Sequence, residues 1–219
     1  GDGAGALVLE AAEQPGCGVV STVLGCRGDA EHLLSIEAGG SARPATRETA
    51  ARGEHYVRMK GGEVFRLAVR AMSQAAREAL DRAGLTVADV RMAIAHQANA
   101  RILGAVREAL GLPAEKVFLN LDRYGNTAAA SIPIALSEFL SRDAVAAGDH
   151  LLLAAFGGGL TWAAAVVRWP DVGAILRGRG KREGCGILEP DGEADVLPVA
   201  RPGRLPFTPA AADWRPAAG

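Results

Sequence analysis

No stretch of the chain approaches the ~20 consecutive apolar residues that a membrane-spanning helix needs, and its opening lacks the charged-then-apolar pattern of a secretory signal. Net charge is nearly absent too: the 219 residues carry −1 at pH 7, so nothing biases the chain toward a polyanion such as nucleic acid. Cysteine is scarce. Cys17, Cys26 and Cys185 are odd in number and lack metal-ligand spacing, which suits a reducing cytosol. The first residue is Gly rather than Met, read here as an expectation that a beginning is missing. What remains is a globular composition, 49% hydrophobic, long enough for one sizeable core or two small ones.

Two polar clusters close short apolar runs in the middle of the chain. His96-Gln97-Ala98-Asn99 follows Met92-Ala93-Ile94-Ala95, and Tyr124-Gly125-Asn126-Thr127 follows Val117-Phe118-Leu119-Asn120-Leu121. Runs of this kind read as buried parallel strands. From Ala100 to Leu110 the apolar residues Ile102-Leu103, Val106 and Leu110 repeat at helical spacing, and Gly111 supplies the C-terminal stop. His96 therefore leaves a strand and Asn99 opens a helix, at the mouth of an α/β sheet where ligands bind. Taken singly, each residue has an ordinary reading as well. His96 reads equally as a buried histidine satisfied by backbone, Asn99 as a helix N-cap, and Asn126 beside Gly125 as a turn residue.

The combination is more specific. His96-Gln97-Ala98-Asn99-Ala100-Arg101-Ile102, Leu121-Asp122-Arg123-Tyr124-Gly125-Asn126-Thr127 and Phe156-Gly157-Gly158-Gly159-Leu160-Thr161-Trp162 resemble the β-ketoacyl-acyl-carrier-protein synthase III family. Gly1-Asp2-Gly3-Ala4-Gly5-Ala6, Ala38-Gly39-Gly40-Ser41 with Pro44, and Met59-Lys60-Gly61-Gly62-Glu63-Val64-Phe65 agree in the same order, so the resemblance spans residues 1 to 169. It implies the C-terminal half of a duplicated thiolase-like α/β architecture: a mixed five-stranded sheet with helices on its faces, ending in an antiparallel hairpin. Residues 1–17 would be the last strand region of a truncated first half, with Ala6-Leu7-Val8-Leu9 packed deep in a sheet, and 18–169 the C-terminal domain.

The resemblance also implies a reaction. It is a decarboxylative Claisen condensation of acyl-CoA with malonyl-acyl-carrier protein, which initiates fatty acid synthesis in the cytoplasm. His96 Nε2 and Asn126 Nδ2 would stabilise the malonyl thioester enolate, which favours a neutral imidazole protonated on Nε2, and the Gly158 N–H would serve an oxyanion hole. Gly61, Gly62, Phe65, Ala98 and Asn99 would hold the pantetheine arm, and Arg66 and Arg101 would form a basic rim for the acidic carrier. Two departures stand out. Gly62 replaces a polar residue common in the family, and Arg107-Glu108 stands where consecutive lysines are frequent. The family's nucleophilic cysteine has no counterpart here, so the isolated chain is expected to be inactive without its first half. No metal and no cofactor are implied beyond the CoA or phosphopantetheine carried by the substrates. The expected assembly is a homodimer, with no nucleic acid or membrane partner. Two alternatives remain: a related specialised-metabolite condensing enzyme, and a non-catalytic pantetheine- or carrier-binding module.

Three further expectations come from the residues themselves. Glu63 to Ala83 is an amphipathic helix ended by Gly84, with its arginines solvated. Residues 27–58 form a polar excursion of the length that covers a site or is mobile, with His32 and His55 solvated; the resemblance implies that it lies over the substrate tunnel. Seven of the eleven prolines lie beyond Trp169, and 170–219 read as a disordered Pro/Gly-rich extension.

Overall fold

The computed structural model describes residues 1–12, 15–143 and 145–171. Almost all of the expected 170–219 extension, from residue 172 on, lies outside the described residues.

Four strands make the main sheet: β1 (Gly18–Cys26), β4 (Val90–Ala95), β5 (His150–Gly157) and β6 (Thr161–Arg168), in the order β1-β6-β5-β4. β4 and β5 are parallel, while β5–β6 and β6–β1 are antiparallel. The sheet is mixed, and its last two strands form the expected hairpin. The fifth strand expected at Val117–Leu121 is reduced to one parallel bridge, Ala93 to Val117, with Phe118 N donating to Ala93 O at 3.0 Å. The chain then leaves the sheet edge, because Asn120 turns inward and starts the short helix α4 (Leu121–Tyr124).

Strand alternation divides the core in two. Ala93 and Ala95 of β4 and Leu152, Ala154 and Phe156 of β5 face one cluster, with Ala164 and Val166 of β6. Met92, Ile94 and Leu151 face the other. A register shift between Val90 and Met92 lets Val90 join the first face. That face is covered by α2 (Gly61–Arg82) and α3 (Ala100–Leu110). Val64, Ala68, Met72, Ala75, Ala76, Ala79 and Leu80 bury one stripe of α2, as the period-3.6 pattern requires. Arg66, Arg70, Arg77 and Arg82 lie in solvent, as expected. The other face is covered over β4 and β5 by α5 (Ser131–Arg142), through Ala135, Leu136 and Phe139.

α2 and α3 run parallel. Near their N-termini the Arg101 guanidinium lies 5.7 Å from the Phe65 ring centroid. Toward their C-termini Arg77 donates to the Ala109 carbonyl. Both helices therefore open at the same end of the domain. α3 begins and ends as the sequence indicated: Asn99 Oδ1 accepts from Ile102 N at 2.9 Å, and Gly111 takes φ 74°.

Two further expectations fail. The strand at Ala6–Leu9 does not form; residues 1–12 have no regular element, and Val8 and Leu9 are exposed. A strand needs a ladder partner, and residues 6–9 pair with no strand among the described residues. The glycines still permit close approach, as their period-two spacing on one face of an extended chain allows. A Cβ at Gly1 would sit 2.0 Å from Tyr124 O, one at Gly3 2.7 Å from Ile134 Cδ1, and one at Gly5 2.4 Å from Pro133 Cβ. The partner is the Asn126 turn and the start of α5, not a sheet. Nor is His55 solvated: it is half-buried, with Nε2 2.9 Å from Thr49 Oγ1. His32 is exposed.

The excursion from 27 to 58 is tied at its root by β2 (Leu34–Ser35) pairing with β3 (Arg58–Met59). Within it, Thr46 caps the short helix α1 (Arg47–Ala51), and buried Glu54 receives Arg43 at 2.7 Å. Among the described residues no helix is long and apolar enough to cross a membrane.

Candidate active site

β4 delivers His96 to the C-terminal edge of the parallel pair, where His96 N donates to Ala154 O at 2.8 Å. There it borders an open cavity of about 550 Å³. Register explains the cavity's floor: Leu24 pairs with Ala163, and Ala163 with Ala155. These three neighbours lie on the face that α5 leaves uncovered. The walls come from Ala128, Ala129, Ser131 and Ile132 on one side and Gly157, Thr161 and Trp162 on the other. The lining is mostly apolar, which suits an acyl or thioester group and leaves His96 its principal titratable member.

The His96 ring is half-buried, and burial pushes its pKa below the ordinary value. The imidazole is therefore neutral near neutral pH. Its Nδ1 lies 2.7 Å from Ser131 Oγ. Ser131 Oγ donates to Ala128 O at 2.8 Å, and Ala128 N donates to Asn126 Oδ1 at 2.9 Å. This chain of contacts brings His96 and Asn126 to one turn, although they are thirty residues apart in sequence. With Asn126 Oδ1 occupied by a backbone N–H, the amide must present Nδ2 as its outward donor. Asn126 is exposed, two residues from the cavity-lining Ala128. Ala128 takes φ 49°, a left-handed conformation uncommon for a residue with a Cβ, of the kind that gathers at functional turns.

The turn is braced from beneath. Gln97, 1% exposed, donates through Nε2 to Ala95 O at 2.9 Å and Phe118 O at 3.2 Å, and accepts from Asn120 N at 3.2 Å. Asn120 Nδ2 then reaches Glu138 Oε2 at 3.0 Å, and Glu138 also receives Arg123 and Arg142. Burial alone would raise the Glu138 pKa, but the Arg123 and Asn120 hydrogen bonds hold it below the usual carboxylate value.

The remaining candidates fall into two places. Gly61, Gly62, Phe65 and Arg66 lie at the opening of α2, and Ala98, Asn99 and Arg101 at the opening of α3, so the parallel helices gather them at one end. No Cβ placed at Gly61 or Gly62 would meet another atom within 4 Å, so these positions border open space. Phe65 and Ala98 pack partly against the core. Gly158 is exposed in the β5–β6 turn next to the cavity-lining Gly157, and a Cβ there would lie 3.8 Å from Leu34 Cδ2. The root of the excursion thus touches the glycine turn. Cys17 and Cys26 lie outside the cavity lining. Among the described residues no group of three or more His, Cys, Asp and Glu side chains could hold a metal ion.

Ser131 and the bracing role of Gln97 were not read from the sequence. The available signal for Ser131 is that it is the single polar residue from Ala128 to Leu136.

Residues 80–169 match the family described as 3-oxoacyl-acyl-carrier-protein synthase III C terminal. The chain is 51% identical over 169 residues to the β-ketoacyl-acyl-carrier-protein synthase III of Roseiflexus sp. (strain RS-1), covering 77% of this chain and 51% of the relative. It spans about half the length of the curated relatives it matches. Among solved structures, 3-oxoacyl-acyl-carrier-protein synthase III from Aquifex aeolicus superposes with a TM-score of 0.63 at 41% identity, over 73% of this chain and 46% of the other. The priming β-ketosynthase of a polyketide biosynthetic pathway superposes with a TM-score of 0.61 at 33% identity, over 70% and 46%. The thiolase-like fold of these enzymes is the fold of this chain.

Proposed function

We propose that this chain, which belongs to the β-ketoacyl-acyl-carrier-protein synthase III family, carries the decarboxylation and condensation half of that family's active site. The observation that supports the reading is the Ser131–Ala128 link, which ties His96, on the wall of an apolar cavity, to Asn126, two residues from the cavity-lining Ala128, with Nδ2 left as its outward donor. An acyl group taken from acyl-CoA waits on a cysteine supplied by the part of the relatives' length that this chain does not span. Malonyl-acyl-carrier protein enters, loses CO2, and the resulting carbanion attacks the acyl thioester. Negative charge develops on the malonyl thioester oxygen, and donors at His96 Nε2 and Asn126 Nδ2 stabilise it. The Gly158 N–H serves the tetrahedral intermediate formed at the acyl-cysteine. The product starts a fatty acid chain.

The substrate arms enter where α2 and α3 open together, past Gly61, Gly62, Phe65, Ala98 and Asn99. Arg66 and Arg101 receive the acidic carrier, and Arg101 is steadied over the Phe65 ring. The site requires no cofactor beyond the CoA and phosphopantetheine that the substrates bring. The working assembly is a cytoplasmic homodimer of complete enzymes.

The test is to mix the 219-residue chain with the complementary half of the Roseiflexus relative and follow condensation of acyl-CoA with malonyl carrier thioester. Activity appears on mixing and falls by about 10²-fold or more in His96→Ala and in Asn126→Ala, the loss typical of a removed oxyanion donor. Activity that survives both substitutions refutes the assignment. Carrier binding without turnover supports a non-catalytic module instead. Turnover restricted to an unusual acyl starter would place the chain with the specialised condensing enzymes.

A further inference from the structure

Ser131 is 2% exposed and opens α5. Its hydroxyl oxygen has three neighbours: Ala128 O at 2.8 Å, His96 Nδ1 at 2.7 Å and Gln97 N at 3.3 Å. A hydroxyl has one hydrogen to give and two lone pairs to receive with. Ala128 O can only accept, and Gln97 N–H can only donate. If the hydrogen goes to Ala128 O, one lone pair meets Gln97 N–H and the other meets His96 Nδ1. The ring nitrogen must then carry a proton. If the hydrogen went to Nδ1 instead, Ser131 Oγ and Ala128 O would meet at 2.8 Å as two acceptors with no hydrogen between them, a repulsive contact that the hydrogen bond already made to Ala128 O by Ser131 N does not relieve.

From this arrangement we propose that Ser131 is a positioning residue that fixes His96 as the neutral Nδ1–H tautomer, leaving Nε2 unprotonated toward the cavity. Burial of the ring favours the neutral form in which this choice matters. The expectation of a neutral ring protonated on Nε2 is thereby reversed. In the resting site Nε2 accepts rather than donates. It becomes a donor only after gaining a proton. A cysteine thiol at the cavity supplies one: the S–H bond breaks, its electron pair stays on sulfur as a thiolate, and an Nε2–H bond forms on the imidazolium. That Nε2–H then faces the position of the malonyl thioester oxygen. One residue on α5 thus makes a single imidazole first an acceptor for the nucleophile's proton and afterwards an oxyanion donor. This sequence rests on the function proposed above; the tautomer itself does not.

The experiment is a long-range proton–nitrogen correlation spectrum of the full 219-residue chain labelled with ¹⁵N-histidine, recorded on the alkaline side of the ring's titration. His96→Asn identifies the resonances by their disappearance. The expected result is a protonated, pyrrole-type Nδ1 and a bare, pyridine-type Nε2. The opposite pattern in the unsubstituted protein overturns the proposal without any variant having to fold. Ser131→Ala shifts the tautomer ratio toward Nε2–H by about tenfold, the worth of one net hydrogen bond. Ser131→Thr, which keeps the hydroxyl, restores the Nδ1–H pattern. An undisturbed pattern in Ser131→Ala also overturns it, because the serine would then not be the cause. The readout needs no substrate, so a failed complementation assay sinks the proposed function and leaves the tautomer standing. A reversed tautomer with His96-dependent condensation sinks only the role of Ser131.

Discussion

Replacing Gln97 by leucine should cost this fold more than any surface change, and the size of the loss follows from three hydrogen bonds. The side chain is 1% exposed and nearly isosteric with leucine, so shape is preserved while Ala95 O, Phe118 O and Asn120 N all lose their partner. Each buried backbone group left unsatisfied costs about 1–3 kcal/mol. The more apolar leucine recovers part of this, and a net loss of about 3–5 kcal/mol is expected against a typical total of about 5–15 kcal/mol. With a urea slope of about 2 kcal/mol per molar, the unfolding midpoint falls by roughly 1.5–2.5 M. Urea titration followed by far-ultraviolet circular dichroism reads this directly. Gln97→Glu is the companion variant. Once protonated it keeps an acceptor and one donor, so its deficit shrinks as pH falls. A Gln97→Leu midpoint within about 0.5 M of the parent protein, equivalent to about 1 kcal/mol, would refute the reasoning. The brace would then be incidental to stability.

Other consequences can be measured on the same chain. Because burial holds the His96 pKa down, the unfolded chain takes up a proton near about pH 6.5 before the folded one does. Stability is therefore full above that pH and declines as pH falls toward the folded pKa. His96→Asn should flatten the decline, and superimposable curves for the two proteins would contradict it. Gly5→Ala places a methyl against the rigid Pro133 ring at 2.4 Å. The exposed segment should lift away from the ring, with cleavage within residues 1–12 by a nonspecific protease quickening several-fold, whereas Gly61→Ala, with open space at its Cβ, leaves that cleavage unchanged. If Arg101 docks the carrier as proposed, Arg101→Ala weakens carrier association several-fold at low ionic strength and much less at about 0.5 M salt, since an exposed charge is screened; a salt-independent loss would point instead to its stacking on Phe65.

How much of this was legible in the sequence depends on the range of the signal. α2 and α3 announce themselves because the apolar period is local, and Asn99 and Gly111 act on groups within one turn. The exit of His96 from a buried strand was equally local. The segment Val117–Leu121 has strand-like composition, but one bridge is all it makes, because buried Asn120 answers to Gln97 and Glu138 rather than to a ladder. Residues 6–9 have strand-forming side chains but pair with no strand among the described residues. His55 looked solvated because its partner Thr49 is one of many polar residues in the excursion. Ser131 escaped notice for the same reason at longer range: its importance lies in a contact 35 residues away, and a serine at a helix start carries no mark of the ring it faces.

The order of strands in the sheet also sets a timetable. β1 is the first strand of the domain, yet its partner is β6, the last, and Arg168 reaches back to the Gly16 carbonyl across 152 residues. While the chain is being made, β1 has nothing to pair with until β6 has left the ribosome, and until then its unpaired edge is open to other chains. The helices can form early, but closing so long a loop is costly and confers no contacts until its end. Folding of this domain is therefore expected to finish only after synthesis has passed Arg168, and the interval before that is when chaperones would find it.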